Sequence, residues 1–341
     1  MSWRGFWATS IGTAIGLAAV LYALLLIVDP YDTVFFSPPF DREPVTTNQR
    51  FSFPALARKQ RFDSAVIGTS TTRLLEPARF SAALGGSFVN LSLNSGTAWE
   101  QAQLFDVFVR RHKRPRTVIF GLDVEWCEAA ETYQKYTPRP FPPWMYDDDP
   151  WNDLLHLFNL PALEEMARQF AYLTGLRAPK YGKDGYTNFL PPPEIYDLET
   201  ARRHLYGGLE PRVKAPVGEP VDPAPEARAA WPFATHPLMV EMLRALPDET
   251  VKVLMFVPYH HFHQPAPGSL LDAQWTECKR RLTDLAARFE NTHVLDFMIH
   301  SEITLRDQNY WDPLHYDTVI ATRLASLIAE AVKTRRGADG L

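Results

Sequence analysis

The sequence has little cysteine and no excess of positive charge. Its 341 residues include only two cysteines, Cys127 and Cys278, which lie far apart and have no metal-type partner spacing. Neither a zinc site nor a disulfide framework is indicated, and whether the two cysteines pair stays open. The net charge of -5 and the pI near 6.1 give no excess of positive charge with which to bind nucleic acid. We therefore predict no nucleic-acid partner, no bound metal and no cofactor.

Charge is absent from the 24 residues of Gly5 to Val28, which are rich in Leu, Ala, Ile and Val. Such a run is long enough to cross a bilayer as a helix. A cleaved signal peptide is the alternative, but the run is long for one, and Asp29 to Asp32 follow it in place of a small-residue cleavage site. Arg4 precedes the run and acidic residues follow it, so the positive-inside rule places the bulk of the chain outside the cytoplasm. We expect an uncleaved, single-pass anchor, with the remainder periplasmic or extracellular if the source is a bacterium.

Beyond this run, short apolar segments alternate with segments of helical length. Five segments are predicted to be strands: Ser64 to Gly68, Phe88 to Leu93, Thr117 to Leu122, Val251 to Pro258 and His293 to Phe297. Helices are predicted between and after them: Pro77 to Leu84, Trp99 to Arg111, Pro237 to Ala245, Leu270 to Arg288 and Thr318 to Thr334. This alternation predicts an α/β fold with a parallel sheet of about five strands covered on both faces.

Residues 125–235 interrupt the alternation. They hold 16 of the 29 prolines and eight of the 13 tyrosines, so they cannot continue a regular sheet. The predicted domains are an anchor (1–30), a first part of the core (31–124), this insertion (125–235) and a second part of the core (236–341). Helices are expected at Trp151 to Leu173 and Tyr196 to Tyr206, and the insertion is expected to overhang the carboxyl edge of the sheet. Four of its aromatic residues are candidates for stacking on a ligand or for a small core of their own: Trp126, Trp144, Tyr146 and Trp151.

Polar residues follow each predicted strand. In chain order these are Ser70, then Asn94, Ser95 and Gly96, then Asp123, then His260 and His261, and finally Asp312 and His315. The carboxyl ends of parallel strands share one edge, where ligands bind in sheets of this kind. We therefore expect these side chains to lie at one site.

Ser70, His315 and Asp312 are the candidate catalytic residues. An Asp and a His three residues apart on one turn can orient each other, so that the imidazole receives a serine proton. Ser70 is also a plausible helix cap, and so is Asp123. Arg73 either pairs with an anionic substrate or lies on a helix surface.

The histidines that follow the fourth strand allow two readings. His260, His261 and His263 either line the pocket or bind a metal ion. We expect His260 and His261 to lie at the substrate side of the site.

Four stretches resemble the SGNH/GDSL hydrolase superfamily: Ile67 to Ser70, Asn90 to Gly96, Phe120 to Asp123, and Asp312 to His315. The similarity covers roughly 200 residues. It is greatest to membrane-anchored, extracytoplasmic members of the alginate O-acetyltransferase and D-alanyl-lipoteichoic-acid types. The resemblance implies a flavodoxin-like three-layer α/β/α core with a serine esterase site.

One residue departs from the family pattern. Asp123 stands where members usually have an Asn whose amide helps to bind the oxyanion, and a carboxylate cannot donate unless it is protonated. The expected oxyanion donors are therefore the Ser70 N–H, the N–H of Ser95 or Gly96, and the side chain of Asn94. Asp123 is expected to orient its neighbours.

These residues lead to one expected function and two alternatives. The leading hypothesis is an anchored extracytoplasmic serine esterase or O-acyltransferase that acts on an acylated glycan or another envelope polymer. The resemblance implies that a transferase would work beside a multi-pass membrane acyltransferase. A catalytically inactive SGNH-like module that binds glycan or scaffolds a membrane assembly is the first alternative, and a metal hydrolase built on the three histidines is the second.

Overall fold

A computed structural model of the chain describes residues 2–44, 46 and 48–334, except for the side chain of residue 193. The chain forms two compact units. The smaller consists of Met1–Leu56 with Pro140–Lys183, and the larger of Ala57–Arg139 with Asp184–Leu341. The predicted insertion, 125–235, is thus divided between the two units.

The helices are α1 (Trp3–Val28), α2 (Gln49–Ala57), α3 (Pro77–Leu84), α4 (Ala98–Arg111), α5 (Pro150–His156), α6 (Leu160–Leu173), α7 (Leu198–Tyr206), α8 (Pro225–Ala229), α9 (His236–Arg244), α10 (Leu270–Ala286) and α11 (Thr318–Thr334). The strands are β1 (Ser64–Ile67), β2 (Phe88–Asn90), β3 (Thr117–Leu122), β4 (Val251–Phe256) and β5 (Thr292–Asp296).

The larger unit contains one parallel sheet of five strands in the order β2-β1-β3-β4-β5. In the register, Val66 of β1 lies opposite Asn90 of β2 on one side and Ile119 of β3 on the other. Every residue of β1, β2 and β3 is buried, as expected for a sheet with helices on both sides. The predicted α/β class and the five predicted strands are confirmed.

The predicted helix at Trp151 to Leu173 is wrong as a single element. It is two helices, α5 and α6, separated at Leu157 to Asn159. The Asn159 side chain accepts a hydrogen bond from the Ala162 N–H at 2.9 Å and caps α6. Pro161 has no N–H to donate, so it fits the first turn of a new helix better than the interior of a longer one.

α1 is the one helix of the described residues that is long and apolar enough to cross a membrane. It ends at Asp29, which adopts a left-handed conformation and donates its N–H to Leu25 O at 2.8 Å. The Asp29 carboxylate accepts hydrogen bonds from the N–H groups of Thr33 and Val34, at 2.9 and 3.1 Å. The chain therefore leaves α1 through an ordered turn.

Cys127 and Cys278 form a disulfide in the larger unit, with their Cα atoms 5.4 Å apart. The bond links the segment after β3 to α10 across 151 residues of sequence. A crosslink over so long a loop removes much conformational freedom from the unfolded chain. The disulfide therefore stabilises the unit that carries the sheet.

We expect loss of this disulfide to lower the free energy of unfolding by about 5 kcal/mol, as the chain-entropy relation gives for a loop of 151 residues. The measurement is chemical denaturation of the full chain in detergent, with and without dithiothreitol. The Cys127→Ala/Cys278→Ala variant is the control, because dithiothreitol should not change its stability. A change below about 1 kcal/mol in the wild-type chain would contradict the prediction.

Candidate active site

Ser70 lies in the turn that follows β1. The Thr72 N–H donates to Thr69 O at 3.2 Å, and the Arg73 N–H donates to Ser70 O at 3.3 Å. The short 3-10 helix Thr72–Leu74 that follows has no side-chain cap. The Ser70 hydroxyl is hydrogen-bonded elsewhere, so capping does not explain this serine.

Two glycines allow the turn to pack against the sheet. A Cβ on Gly68 would lie 2.3 Å from Thr72 Oγ1, and a Cβ on Gly121 would lie 2.2 Å from Thr72 Cγ2. Both contacts are far inside van der Waals distance, so only glycine fits at either position. The Thr72 hydroxyl also hydrogen-bonds to Ser92 Oγ at 2.8 Å and thereby ties the turn to the segment after β2.

Ser70, His315 and Asp312 form a continuous hydrogen-bonded series. Ser70 Oγ lies 2.8 Å from His315 Nε2, within hydrogen-bonding distance of a serine and its base. His315 Nδ1 lies 2.7 Å from Asp312 Oδ2. The other carboxylate oxygen, Asp312 Oδ1, accepts the N–H groups of Leu314 and His315, at 2.9 and 3.0 Å. The predicted proximity of the three residues is confirmed, whereas their catalytic role stays a prediction.

The protonation of this series follows from Asp312. Burial raises the pKa of the Asp312 carboxyl, but the hydrogen bond and charge of His315 and the two N–H donors outweigh burial and lower it. An ionised carboxylate only accepts hydrogen bonds, so Nδ1 of His315 carries a proton. In the neutral imidazole, Nε2 is then the acceptor and Ser70 is the donor.

Two buried tyrosines hold the loop that carries Asp312 and His315. Tyr310 and Tyr316 pair across the base of this loop in an antiparallel bridge. The Tyr316 hydroxyl donates to Thr71 O at 2.6 Å, and the Tyr310 hydroxyl donates to Pro258 O at 2.8 Å. Burial raises the pKa of both phenols, so both remain donors. Tyr316 thus joins the histidine loop directly to the residue after Ser70.

A second buried cluster supports the same loop. Asp307 accepts the Tyr206 hydroxyl at 2.6 Å and the Arg202 Nε–H at 2.8 Å. His260 Nε2 lies 3.3 Å from the same carboxylate, and His261 Nε2 lies 3.4 Å from the Tyr206 hydroxyl. Burial lowers the pKa of His260 to about 4 and also lowers that of His261, so both rings are neutral near pH 7.

His260 and His261 were expected at the substrate side, and the structure instead buries both in this cluster. The backbone N–H of His260 donates to Pro313 O at 3.0 Å, between Asp312 and His315. His260 therefore positions the loop of the candidate triad. Within the described residues, the polar contacts of the two rings are with Asp307, with the Tyr206 hydroxyl and with the Phe262 N–H.

The arrangement bears on metal binding. Within the described residues, the ligand atoms of His260, His261 and Asp307 lie within 4.8 Å of one another, whereas His263 is outside this group. Both oxygens of Asp307 already accept hydrogen bonds, one of them from the cationic Arg202. A guanidinium at 2.8 Å repels a metal ion, so the cluster fits a hydrogen-bonded network better than a metal centre.

The expected oxyanion donors are not equivalent. Within the described part of the chain, the Ser70 N–H has no protein acceptor. The Gly96 N–H already donates to Leu93 O at 3.1 Å in a turn, and Ser95 has a φ of 49°. Of the two alternatives after β2, the Gly96 N–H is thus already used within this turn.

Arg73 and Asn94 lie together beside this turn. Arg73 Nη1 donates to Asn94 Oδ1 at 2.7 Å, and the guanidinium lies 5.6 Å from the centre of the Phe189 ring. Arg73 is buried, so it is not the surface residue of the alternative reading. Because the amide oxygen of Asn94 accepts from Arg73, the donor group that Asn94 offers is its amide N–H₂.

Asp123 has an orienting position. It caps the 3-10 helix Val124–Trp126 and accepts the Glu125 N–H at 3.2 Å. Burial raises its pKa to about 6, although a hydrogen bond from the Thr69 side chain opposes the shift. The expectation that Asp123 orients its neighbours fits these contacts, because Thr69 directly precedes Ser70.

Aromatic side chains surround the histidine. Phe189 meets His315 edge to face, with ring centres 5.0 Å apart. Tyr196 and His204 lie against Trp311, at 6.2 and 4.9 Å between ring centres. A cleft of about 190 Å³ adjoins them and is lined by Asn188, Leu190, Pro191, Tyr196, Gln308, Trp311, Asp317, Thr318 and Val319. Residues 188–204 of the predicted insertion therefore do lie at the site.

The aromatic residues that the sequence singled out have other positions. Trp126 and Tyr146 are buried, and Trp144 stacks on His156 at 5.1 Å. Only Trp151 is largely exposed. Phe189, like Asp307 and Tyr206, was missed because no local motif marks it; its role depends on a contact with a residue more than 100 positions away.

The chain was also compared with known proteins. No protein-family model, no curated protein and no solved structure matches it. The geometry of Ser70, His315 and Asp312 and of the residues around them is therefore the basis for a function.

Proposed function

We propose that this protein is an SGNH-type serine esterase or O-acyltransferase that is anchored in the membrane and acts outside the cytoplasm. The observation that carries the proposal is the series from Ser70 through His315 to Asp312, with distances of 2.8 and 2.7 Å. A serine, a histidine and an ionised aspartate in this order are what acyl transfer through a covalent intermediate requires.

In the proposed reaction, Ser70 Oγ attacks the carbonyl carbon of an acyl ester while His315 Nε2 takes the hydroxyl proton. The carbonyl oxygen becomes an oxyanion, for which the Ser70 N–H and the Asn94 amide are the proposed donors. When the intermediate collapses, the ester C–O bond breaks and His315 returns the proton to the leaving alcohol. Water or a sugar hydroxyl then attacks the acyl-serine by the reverse sequence, which gives hydrolysis or transfer respectively.

The surroundings of His315 favour a glycan as the substrate or acceptor. Tyr196 and Trp311 border the cleft beside the histidine loop, and aromatic faces of this kind stack on sugar rings. Asn188 and Gln308 add hydrogen-bonding groups to the same lining. A cleft of about 190 Å³ accommodates part of a polymer rather than a whole chain.

One feature supports an extracytoplasmic setting and another supports retention of α1 as an anchor. The disulfide between Cys127 and Cys278 is typical of an oxidising compartment. Leu25 and Val28 of α1 are buried, so removal of α1 as a signal peptide would take away part of a packed structure. We therefore propose a retained inner-membrane anchor with the rest of the chain in the periplasm, beside a multi-pass membrane acyltransferase if the reaction is transfer.

One observation favours the alternative of a catalytically inactive, glycan-binding module. Asp123 occupies the position of the family asparagine and is buried, so it supplies no amide to an oxyanion. A folded site with correct triad geometry but weak oxyanion stabilisation would bind glycan without turning it over at a useful rate.

Labelling by a fluorophosphonate probe separates the two functions. We expect the full chain in detergent to be labelled, because the probe reacts only with an activated serine, and we expect Ser70→Ala to abolish the label. Ser326→Ala is the matched control, since Ser326 is exposed on α11 and bonds only to its own helix at Thr322 O. An unlabelled wild-type chain, or equal labelling of Ser70→Ala, would favour the inactive module.

A further inference from the structure

The two helices α5 and α6 of the smaller unit bury several polar residues and expose several large apolar ones. In α6, Gln169 is fully buried and Glu165 is 7% exposed, whereas Leu160 is 67% exposed. In α5, Asp153 is buried while Leu155 is 81% exposed. Helices on the surface of a water-soluble unit normally bury their apolar side and expose their polar side. This pattern indicates that these helices do not face water alone.

Six large apolar residues of the smaller unit are at least half exposed. We call this set the apolar face and define it as Phe35, Trp151, Leu155, Phe158, Leu160 and Phe170. Phe35 meets Trp151 at 4.9 Å between ring centres, and Leu155 lies one helical turn after Trp151. Single exposed apolar residues need no explanation, but a contiguous surface of large ones marks a site of interaction.

The apolar face is continuous with the candidate membrane helix. Tyr22 of α1 donates its hydroxyl to Leu154 O at 3.0 Å, and its ring lies 5.9 Å from that of Phe158. α6 also packs against α1. If the carboxyl-terminal part of α1 lies in lipid, the apolar face beside it therefore meets the same lipid.

The length of α1 sets the depth of this contact. Its 26 residues extend about 39 Å at 1.5 Å per residue, which exceeds a hydrocarbon core of about 30 Å. Trp3 and Tyr22 are separated by about 28 Å along the axis. Tryptophan and tyrosine concentrate at the two membrane–water interfaces, so Tyr22 belongs at the outer one. Its partners Leu154 and Phe158 belong at the same depth.

We propose that the apolar face is inserted in the outer interface of the bilayer in which α1 is anchored. Its occupant is lipid, because the face adjoins the one helix that places this unit beside a membrane. Aromatic and leucine side chains would enter the boundary between headgroups and acyl chains, as in interfacial helices. The exposed charges of α6 pair with each other, since Arg168 lies 3.8 Å from Glu164. This inference does not depend on the candidate triad.

The test uses the full chain reconstituted in vesicles of phosphatidylethanolamine and phosphatidylglycerol. Spin labels are attached at Leu155→Cys and, in a second variant, at Leu160→Cys; the two native cysteines are in the disulfide and do not compete. The matched control is Val319→Cys, because Val319 is an apolar helix residue of the larger unit that is 71% exposed. Collision rates with oxygen, which enters the bilayer, and with a nickel chelate, which stays in water, report the depth of each label.

We expect the ratio of oxygen to nickel collisions to be on the order of tenfold higher at 155 and 160 than at 319, because polar complexes are excluded from hydrocarbon. Equal ratios at the three sites would mean that the face is in water and would overturn the proposal. Low collision rates with both reagents at 155 and 160 would mean that a protein surface, such as a second copy of the chain, covers the face, and would overturn it too.

A second measurement avoids labels in case the cysteine variants fold poorly. Brominated lipid quenches tryptophan fluorescence within the bilayer, and Trp151→Phe should reduce the quenched fraction while keeping an aromatic ring at the position. Trp231→Phe, in the larger unit, should instead raise that fraction slightly, because it removes a tryptophan that the lipid does not quench. An equal effect of both variants would overturn the proposal.

Discussion

Replacing Ser70 with alanine is expected to lower kcat/KM for a small ester, such as nitrophenyl acetate, by about 10⁵-fold or to the uncatalysed rate. The His315→Ala variant should lose about as much activity. It lacks the imidazole nitrogen that lies 2.8 Å from Ser70 Oγ, so no base takes the proton of the serine hydroxyl. The two residues act as one unit, so the double variant should be hardly worse than either single variant. Steady-state hydrolysis of the three variants and the wild-type chain measures this.

Ser326→Ala serves as the control for the loss of a serine hydroxyl, and thermal unfolding of each variant checks that the fold is kept. Multiplicative losses in the double variant would show that Ser70 and His315 act independently. Full activity of Ser70→Ala in both a hydrolysis and an acyl-transfer assay would contradict catalysis at this site. The inactive, glycan-binding module would then be the remaining hypothesis.

Asp312→Asn is expected to cost about 10³- to 10⁴-fold in kcat, less than the loss of Ser70. The asparagine Oδ1 can still accept the N–H groups of Leu314 and His315, so the loop is retained. Its amide, however, donates toward His315 Nδ1, which must then give up its proton. The proton moves to Nε2, which can no longer accept the proton of Ser70.

Asp63→Asn is the matched control for this change. Asp63 Oδ1 also accepts a backbone N–H, from Ser87 at 2.8 Å, but it lies at the amino end of β1, at the opposite edge of the sheet. We expect the kcat of the Asp63→Asn variant to stay within about twofold of the wild-type value. If Asp312→Asn were equally harmless, Asp312 would have no part in orienting the imidazole.

Much of the larger unit was predictable because its signals are local. The strand at Ser64 to Gly68 and the one at Thr117 to Leu122 are short, apolar and bounded by polar residues, and both are present within one residue of their predicted ends. The carboxyl-edge rule then placed Ser70 and His315 at one edge. Asp312 and His315 share a turn of four residues, so their contact was implied by spacing alone.

The error at Trp151 to Leu173 has a different origin. The apolar residues of α5 and α6 predict one helix, and they do not reveal the break at Leu157 to Asn159, where the Asn159 side chain caps α6. Sequence reasoning also assigned His260 and His261 to the substrate side, because it could not foresee Asp307 and Tyr206 as their partners. Tyr206 and Asp307 are 101 residues apart, and no pattern in the chain links them.

The sequence by itself determined the features that depend on neighbouring residues: the apolar helix α1, the strands of the sheet and the turn from Asp312 to His315. Only the tertiary structure decided the contacts between distant residues. Ser70 meets His315 across 245 positions, Cys127 meets Cys278 across 151, and Leu160 and Phe170 of α6 are exposed. The physical reason is that local preference sets backbone conformation over a few residues, whereas atomic distances between remote side chains depend on how all of the elements pack.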